Sequence, residues 1–141
     1  MKDADIKRFR SLYPRLWRHE LSKMPDGWVK ITEELMEALN EIQPPIPGEY
    51  GSPLFLMIQF GSGFAIALVS PNPDLGTWNQ EKALDVIQAV CRFNWQVCET
   101  CEVCAGPSHI IVKEPNGLHQ QRLCEHCAEE RLAKFEGRSV Q

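Results

Sequence analysis

Five cysteines stand within thirty residues, from Cys98 to Cys127, and a sixth, Cys91, lies just ahead of them. Cys101, Cys104, Cys124 and Cys127 spell C-x2-C-x19-C-x2-C, a spacing within the range of zinc sites. Two cysteines separated by two residues can aim both sulfurs at one ion from a single tight turn. Two such turns complete the tetrahedron that structural zinc prefers, with metal–sulfur bonds of about 2.3 Å, and leave no position for water. A catalytic zinc would instead keep an open position beside three protein ligands. The deaminase pattern adds H-x-E or C-x-E upstream of its cysteine pair, and neither "CET" nor "CEV" supplies it. The expectation is one structural zinc ion, whose binding energy of about 10–16 kcal/mol is folding energy.

Cys98 pairs with Cys101 by spacing as well as Cys104 does, so spacing leaves open which of the two is a ligand. The small residues Ala105 and Gly106 after Cys104 favour Cys104, because they permit the turn that points backbone N–H groups at the sulfurs. Cys91 falls on the apolar side of an expected helix and reads as core packing. His109, His119 and His126 read as polar surface residues, with His126 pointing away from the metal.

The elements that must position these thiols follow from the flanking residues. "HIIVK" and "LHQQRL" flank "EPNG", whose Asn-Gly marks a hairpin turn. "EHCAEERLAKFE" is rich in helix formers, which places the second pair in the first turn of a helix, where the helix N-terminus favours thiolate charge. Knuckle, hairpin and ligand-bearing helix are the order of a treble-clef zinc finger. This module is expected over residues 97–141, packed with an N-terminal α+β domain over residues 1–96.

In that domain, Ile6, Phe9, Leu12, Tyr13, Leu16 and Trp17 recur at helical spacing, with Pro14 kinking the pattern or starting a second helix. From Asp26 or Gly27 as cap, a second helix would turn Trp28, Ile31, Leu35, Leu39 and Ile42 inward and Glu33, Glu34, Glu37 and Glu41 outward. "QPPIPGEYGSP" ends it. "LFLMIQF", "GSG" and "FAIALVS" read as two strands and a tight turn, so apolar that both faces are expected to be covered. A third helix follows, with a capping box at Thr77 and Gln80. Its buried side is expected to hold Leu84, Ile87, Val90 or Cys91, and Phe93 or Trp95. The fold class is α+β: helices packed on a short antiparallel hairpin, completed by the C-terminal finger.

The segments "PDGW" at 25–28, "TCEVCAGPS" and "LCEHCAEE" resemble a group of small bacterial and phage proteins of unassigned role. That group joins a DGW helix start to CE-x-C-G-x-P, a hairpin and LC-x-x-H/C-A. The resemblance covers the last forty residues best and implies the same ligands, Cys101, Cys104, Cys124 and Cys127. This chain has Ala105 where the group carries glycine, and its central hairpin lacks the group's Lys- and Arg-bearing strand.

The whole chain has 141 residues, 43% of them apolar and 24% charged, the profile of a globular protein able to bury a core without disulfides. No apolar run approaches the roughly 20 residues of a membrane span, and "MKDADIKRFR" lacks the apolar stretch of a signal peptide. A cytoplasmic location with reduced thiols is expected. The net charge of −4 divides as +3 over residues 1–20, −6 over 21–100 and −1 over 101–141. That excludes a protein coating nucleic acid by bulk charge. The expected role is non-enzymatic: a zinc-stabilised adaptor or inhibitor binding another protein, of phage or mobile-element origin and acting on a host system. The alternative is a nucleic-acid-binding regulator using Arg8, Arg10, Arg15, Arg18, Arg131, Lys134 and Arg138, and a small zinc enzyme comes third. A homodimer stays open.

Overall fold

The computed structural model describes residues 1–48, 51–75 and 78–137. Thr77 and Arg138, singled out above, lie outside them. In chain order the elements are α1 (Asp3–Leu12), two short 3-10 turns (His19–Lys23 and Asp26–Trp28), α2 (Val29–Ile42), β1 (Leu54–Gly61), β2 (Phe64–Pro71), α3 (Gln80–Cys98), β3 (Ile110–Lys113), β4 (Gln120–Leu123) and α4 (Glu125–Phe135). The architecture is α+β, with two separate antiparallel hairpins, β1–β2 and β3–β4.

Proline decides where α1 stops. The helical spacing of apolar residues runs on to Trp17, but α1 ends at Leu12, ahead of Pro14, because the residue before a proline is pushed out of the helical region. Tyr13 and Leu16 still enter the core from the turn that follows, while Leu12 is left exposed. In α2 the spacing holds, and Ile31, Leu35, Met36 and Leu39 are buried with Trp28 just ahead of the helix. No side chain caps α2; Asp26 instead meets the N-terminal amine at 3.2 Å.

β1 and β2 join through Ser62 and Gly63, with Gly63 at φ +83°, the left-handed position that glycine fills without strain. The register sets Met57 opposite Leu68 and Ile58 opposite Ala67. Leu54, Leu56, Ile58, Ala65 and Ala67 face the main core with Phe9, Trp28, Met36, Leu39 and Phe93. The opposite face, Phe55, Met57, Phe64, Ile66 and Leu68, is exposed. This corrects the expectation of a hairpin covered on both sides: α2 and α3 pack together and α3 packs on β2, so helices shield one face alone.

The expected buried side of α3 is corrected in part: Phe93 is buried and Val90 packs partly buried on the core, as two of the expected alternatives have it, but Leu84 and Ile87 do not. Val86, Phe93 and Val97 are its buried residues, and Leu84, Ile87, Cys91 and Trp95 are exposed. The helix carries apolar residues on two sides, and contact with α2 and β2 selected one of them. Asn94 fixes the choice by accepting the Ala67 N–H at 2.9 Å, which satisfies a backbone donor on the outer edge of β2. Asn79 caps α3 by accepting the Lys82 N–H at 2.9 Å.

Candidate metal centre

The first cysteine pair sits in a knuckle where the chain leaves α3. An isolated bridge between Thr100 and Pro107 closes it. Within it, the Cys101 N–H donates to the Gly106 carbonyl at 2.8 Å and the Ala105 N–H to the Cys101 carbonyl at 3.1 Å. The turn needs one left-handed residue, and Ala105 takes that place at φ 63°, a conformation costing a residue with a Cβ about 1–2 kcal/mol. The Gly106 N–H is thereby aimed at the Cys104 sulfur, 3.4 Å away.

The second pair comes from the other side. β3 and β4 pair from Ile110 opposite Leu123 to Lys113 opposite Gln120, and Gly117 turns the connecting loop at φ +69°. β4 delivers Cys124 to the start of α4, where its sulfur accepts the Cys127 N–H at 3.5 Å and acts as the helix cap. Cys127 follows in the first turn, buried with Ala128 against Val112 and Leu123.

These elements bring together the thiols of Cys101, Cys104, Cys124 and Cys127, all within 4.8 Å of one another. The Cys104 and Cys124 sulfurs are 3.5 Å apart, far beyond a disulfide bond of about 2.05 Å. A tetrahedron with metal–sulfur bonds of about 2.3 Å has sulfur–sulfur edges of about 3.8 Å, so the donor set and its spacing fit a single metal ion. Burial disfavours the Cys101 thiolate, but backbone hydrogen bonds from Cys104, Cys124 and Val103 prevail and bring its pKa down to about 7. Cys127 moves the opposite way, pushed up first by burial and then by the crowding of the other thiols. Four thiols this close hold one anion readily; the others ionise when a cation compensates their charge.

No family model, curated protein or solved structure matches this chain.

The remaining candidates lie outside the sulfur group. Cys98 and Cys91 are exposed thiols on α3. His126 projects outward and meets Glu130 at 3.4 Å, and His109 and His119 are exposed. Of the arginines put forward for nucleic acid, Arg8 forks onto Glu33 at 3.1 and 2.9 Å and also meets Asp5. Arg15 donates to the Ile46 carbonyl, Arg18 to the Trp17 carbonyl and Arg131 to Glu114. Arg10 and Lys134 are exposed. Among the described residues no helix is long and apolar enough to cross a membrane.

Sequence reasoning missed the residues that dock the knuckle onto the rest of the chain. The Gly27 N–H donates to the Glu102 carbonyl at 2.7 Å and the Trp28 indole to the Thr100 carbonyl at 2.9 Å. A Cβ on Gly27 would stand 2.0 Å from the Cys101 carbonyl oxygen, so only glycine permits the approach. The DGW segment is thus the seat of the knuckle as well as the start of α2. Glu102, buried between two of the cysteines, accepts the Arg122 N–H at 2.7 Å, and Arg122 reaches the Gly63 and Cys98 carbonyls at 3.1 and 2.8 Å. A glycine inside a helix-start motif is the signal that could have exposed the first contact; the others join residues about twenty or more apart and leave no local trace.

Proposed function

We propose that this protein is a non-enzymatic binding module whose C-terminal part is a treble-clef finger built on one zinc ion held by Cys101, Cys104, Cys124 and Cys127. The observation that carries the reading is the four-sulfur group itself. Its spacing suits a closed tetrahedral site, and a closed site organises the chain around it instead of offering the metal to a substrate. The knuckle, hairpin and helix that present the sulfurs support the treble-clef assignment. The motif likeness to small phage and bacterial proteins supports the more detailed reading, an adaptor or inhibitor acting on a host system.

The partner is a second protein, met by the outer side of α3. Leu84, Ile87, Cys91 and Trp95 stand at i, i+3, i+7 and i+11, the pattern of a helix laid into an apolar groove. Trp95 beside Pro107 and His109 supplies the aromatic anchor typical of such contacts. The internal pairing of Arg8, Arg15, Arg18 and Arg131 makes the nucleic-acid reading the weaker one.

Two measurements test the proposal. X-ray absorption on purified protein is expected to return one zinc per chain with four sulfurs at about 2.3 Å; an oxygen in the first shell overturns the closed site. Capture from the native host is expected to bring down one protein in stoichiometric amount. Trp95→Asp is expected to abolish that capture with zinc content unchanged. A captured species that dissociates steeply with added salt and contains DNA or RNA supports the nucleic-acid alternative instead.

A further inference from the structure

The hairpin β1–β2 turns a wholly uncharged face to solvent. Phe55, Met57, Phe64, Ile66 and Leu68 are each 42–53% exposed, and Gln59 and Ser70 complete the outward positions. The Phe64 ring lies over Gly61, where a Cβ would stand. At about 200 Å² per fully exposed large side chain, these five present on the order of 450 Å² of contiguous apolar surface, the size at which a patch on a soluble chain marks an interaction site. Strands with one open face ordinarily alternate apolar and polar residues; here both sides of the alternation are apolar.

We infer that a second copy of this chain covers the face, the two hairpins packing sheet on sheet about a two-fold axis. The area is the first reason. Two such faces remove on the order of 900 Å² of apolar surface from water before any rim is counted, which approaches the roughly 1,200 Å² of a stable interface. A rim lies beside them: a groove of about 670 Å³ runs from Met57, Gln59 and Phe64 to Arg18, Glu20 and Lys23. The charge pattern is the second reason. The centre carries no charge that would select a different partner or repel a copy of itself, and the rim carries both signs in Arg18, Glu20 and Lys23, which is compatible with opposite charges facing one another across a two-fold axis. Aligned sheets pack about 10 Å apart with interdigitating side chains, which the alternation of large residues and Gln59 allows. The dimer uses neither the sulfur group nor the outer side of α3, so it does not depend on the function proposed above.

Sedimentation velocity of the metal-loaded protein between about 1 and 100 μM is expected to show a reversible monomer–dimer equilibrium. Met57→Lys and, separately, Ile66→Glu are expected to weaken it at least about 100-fold, because each buries an unpaired charge at the centre. Both positions are exposed in the single chain, so circular dichroism and metal content should be unchanged. A wild-type chain that stays monomeric over that range, or a dimer that survives both face variants, overturns the inference, whatever protein the host supplies. Loss of host-protein capture in Trp95→Asp, with the dimer intact, separates the two surfaces.

Discussion

Single residues decide how the knuckle is made and where it sits. Ala105 holds a left-handed conformation at φ 63°, so Ala105→Gly is expected to stabilise the protein by about 1 kcal/mol, read by thermal or urea unfolding of the metal-loaded form. Gly27→Ala drives a Cβ into the Cys101 carbonyl and is expected to cost about 3 kcal/mol or to undock the knuckle from α2. Glu102 permits a pH test. Burial raises its carboxyl above the ordinary value of 4.5, against the opposing Arg122 backbone bond and charge. A raised carboxyl stabilises most fully below the unfolded value and loses that contribution as pH rises through the folded one. Glu102→Gln keeps an oxygen for the Arg122 N–H and removes the ionisation. It should therefore flatten the stability profile above about pH 4.5 and be no less stable than wild type at neutral pH, whereas Glu102→Ala should lose about 1–3 kcal/mol by orphaning that donor. Among the thiols, Cys104→Ser or Cys127→Ser should release the metal. Cys91→Ser and Cys98→Ser, on the surface of α3, should retain it and change stability by less than about 0.5 kcal/mol. Full metal content in Cys104→Ser would move the ligand role to Cys98.

At the level of elements, the useful contrast is between α2 and α3. Both show helical periodicity, and α2 has one apolar side opposed by Glu33, Glu34, Glu37 and Glu41, so its buried face was legible. α3 has two apolar sides, Val86–Phe93–Val97 and Leu84–Ile87–Cys91–Trp95, and periodicity fixes the angle between residues, not which side meets a neighbour. The first hairpin differs from expectation for a related reason: continuous apolarity implies cover on both faces only where both faces meet a packed element, and here one does. The α3 contact with β2 is held in register by Asn94. Asn94→Ala should cost about 1 kcal/mol and speed amide exchange at Ala67; unchanged exchange there would show that the bond contributes nothing to the edge.

For the whole molecule, the two apolar clusters are unequal. The main cluster gathers α1, α2, α3 and the first hairpin, while the second holds Val112, Leu123, Ala128, Cys101 and Cys127, with Cys124 and Phe135 at its margin. The smaller one buries too little apolar surface to offset the entropy of ordering its chain. Chelation is therefore expected to strip amide-exchange protection from β3, β4 and α4 first, leaving protection over α2, α3 and the β1–β2 hairpin. Simultaneous loss everywhere would mean that the knuckle's bonds to Gly27 and Trp28, with the bond from Arg122 of β4 to Gly63, couple the two clusters into one cooperative unit.

Local chemistry explains what could be read from residues alone. A C-x2-C turn is a four-residue object, a proline stops a helix within one turn, and an Asn-Gly pair bends a chain wherever it stands. The α+β class, the strands of both hairpins and the start of α4 at the second cysteine pair follow from such short-range rules. Only the folded chain decided which side of α3 is inside, which face of the first hairpin stays open, and that Gly27 and Glu102 clasp across some seventy-five residues. Those choices depend on which surfaces meet, and contact between distant segments is set by packing and desolvation over the whole molecule, not by the order of residues within any one segment.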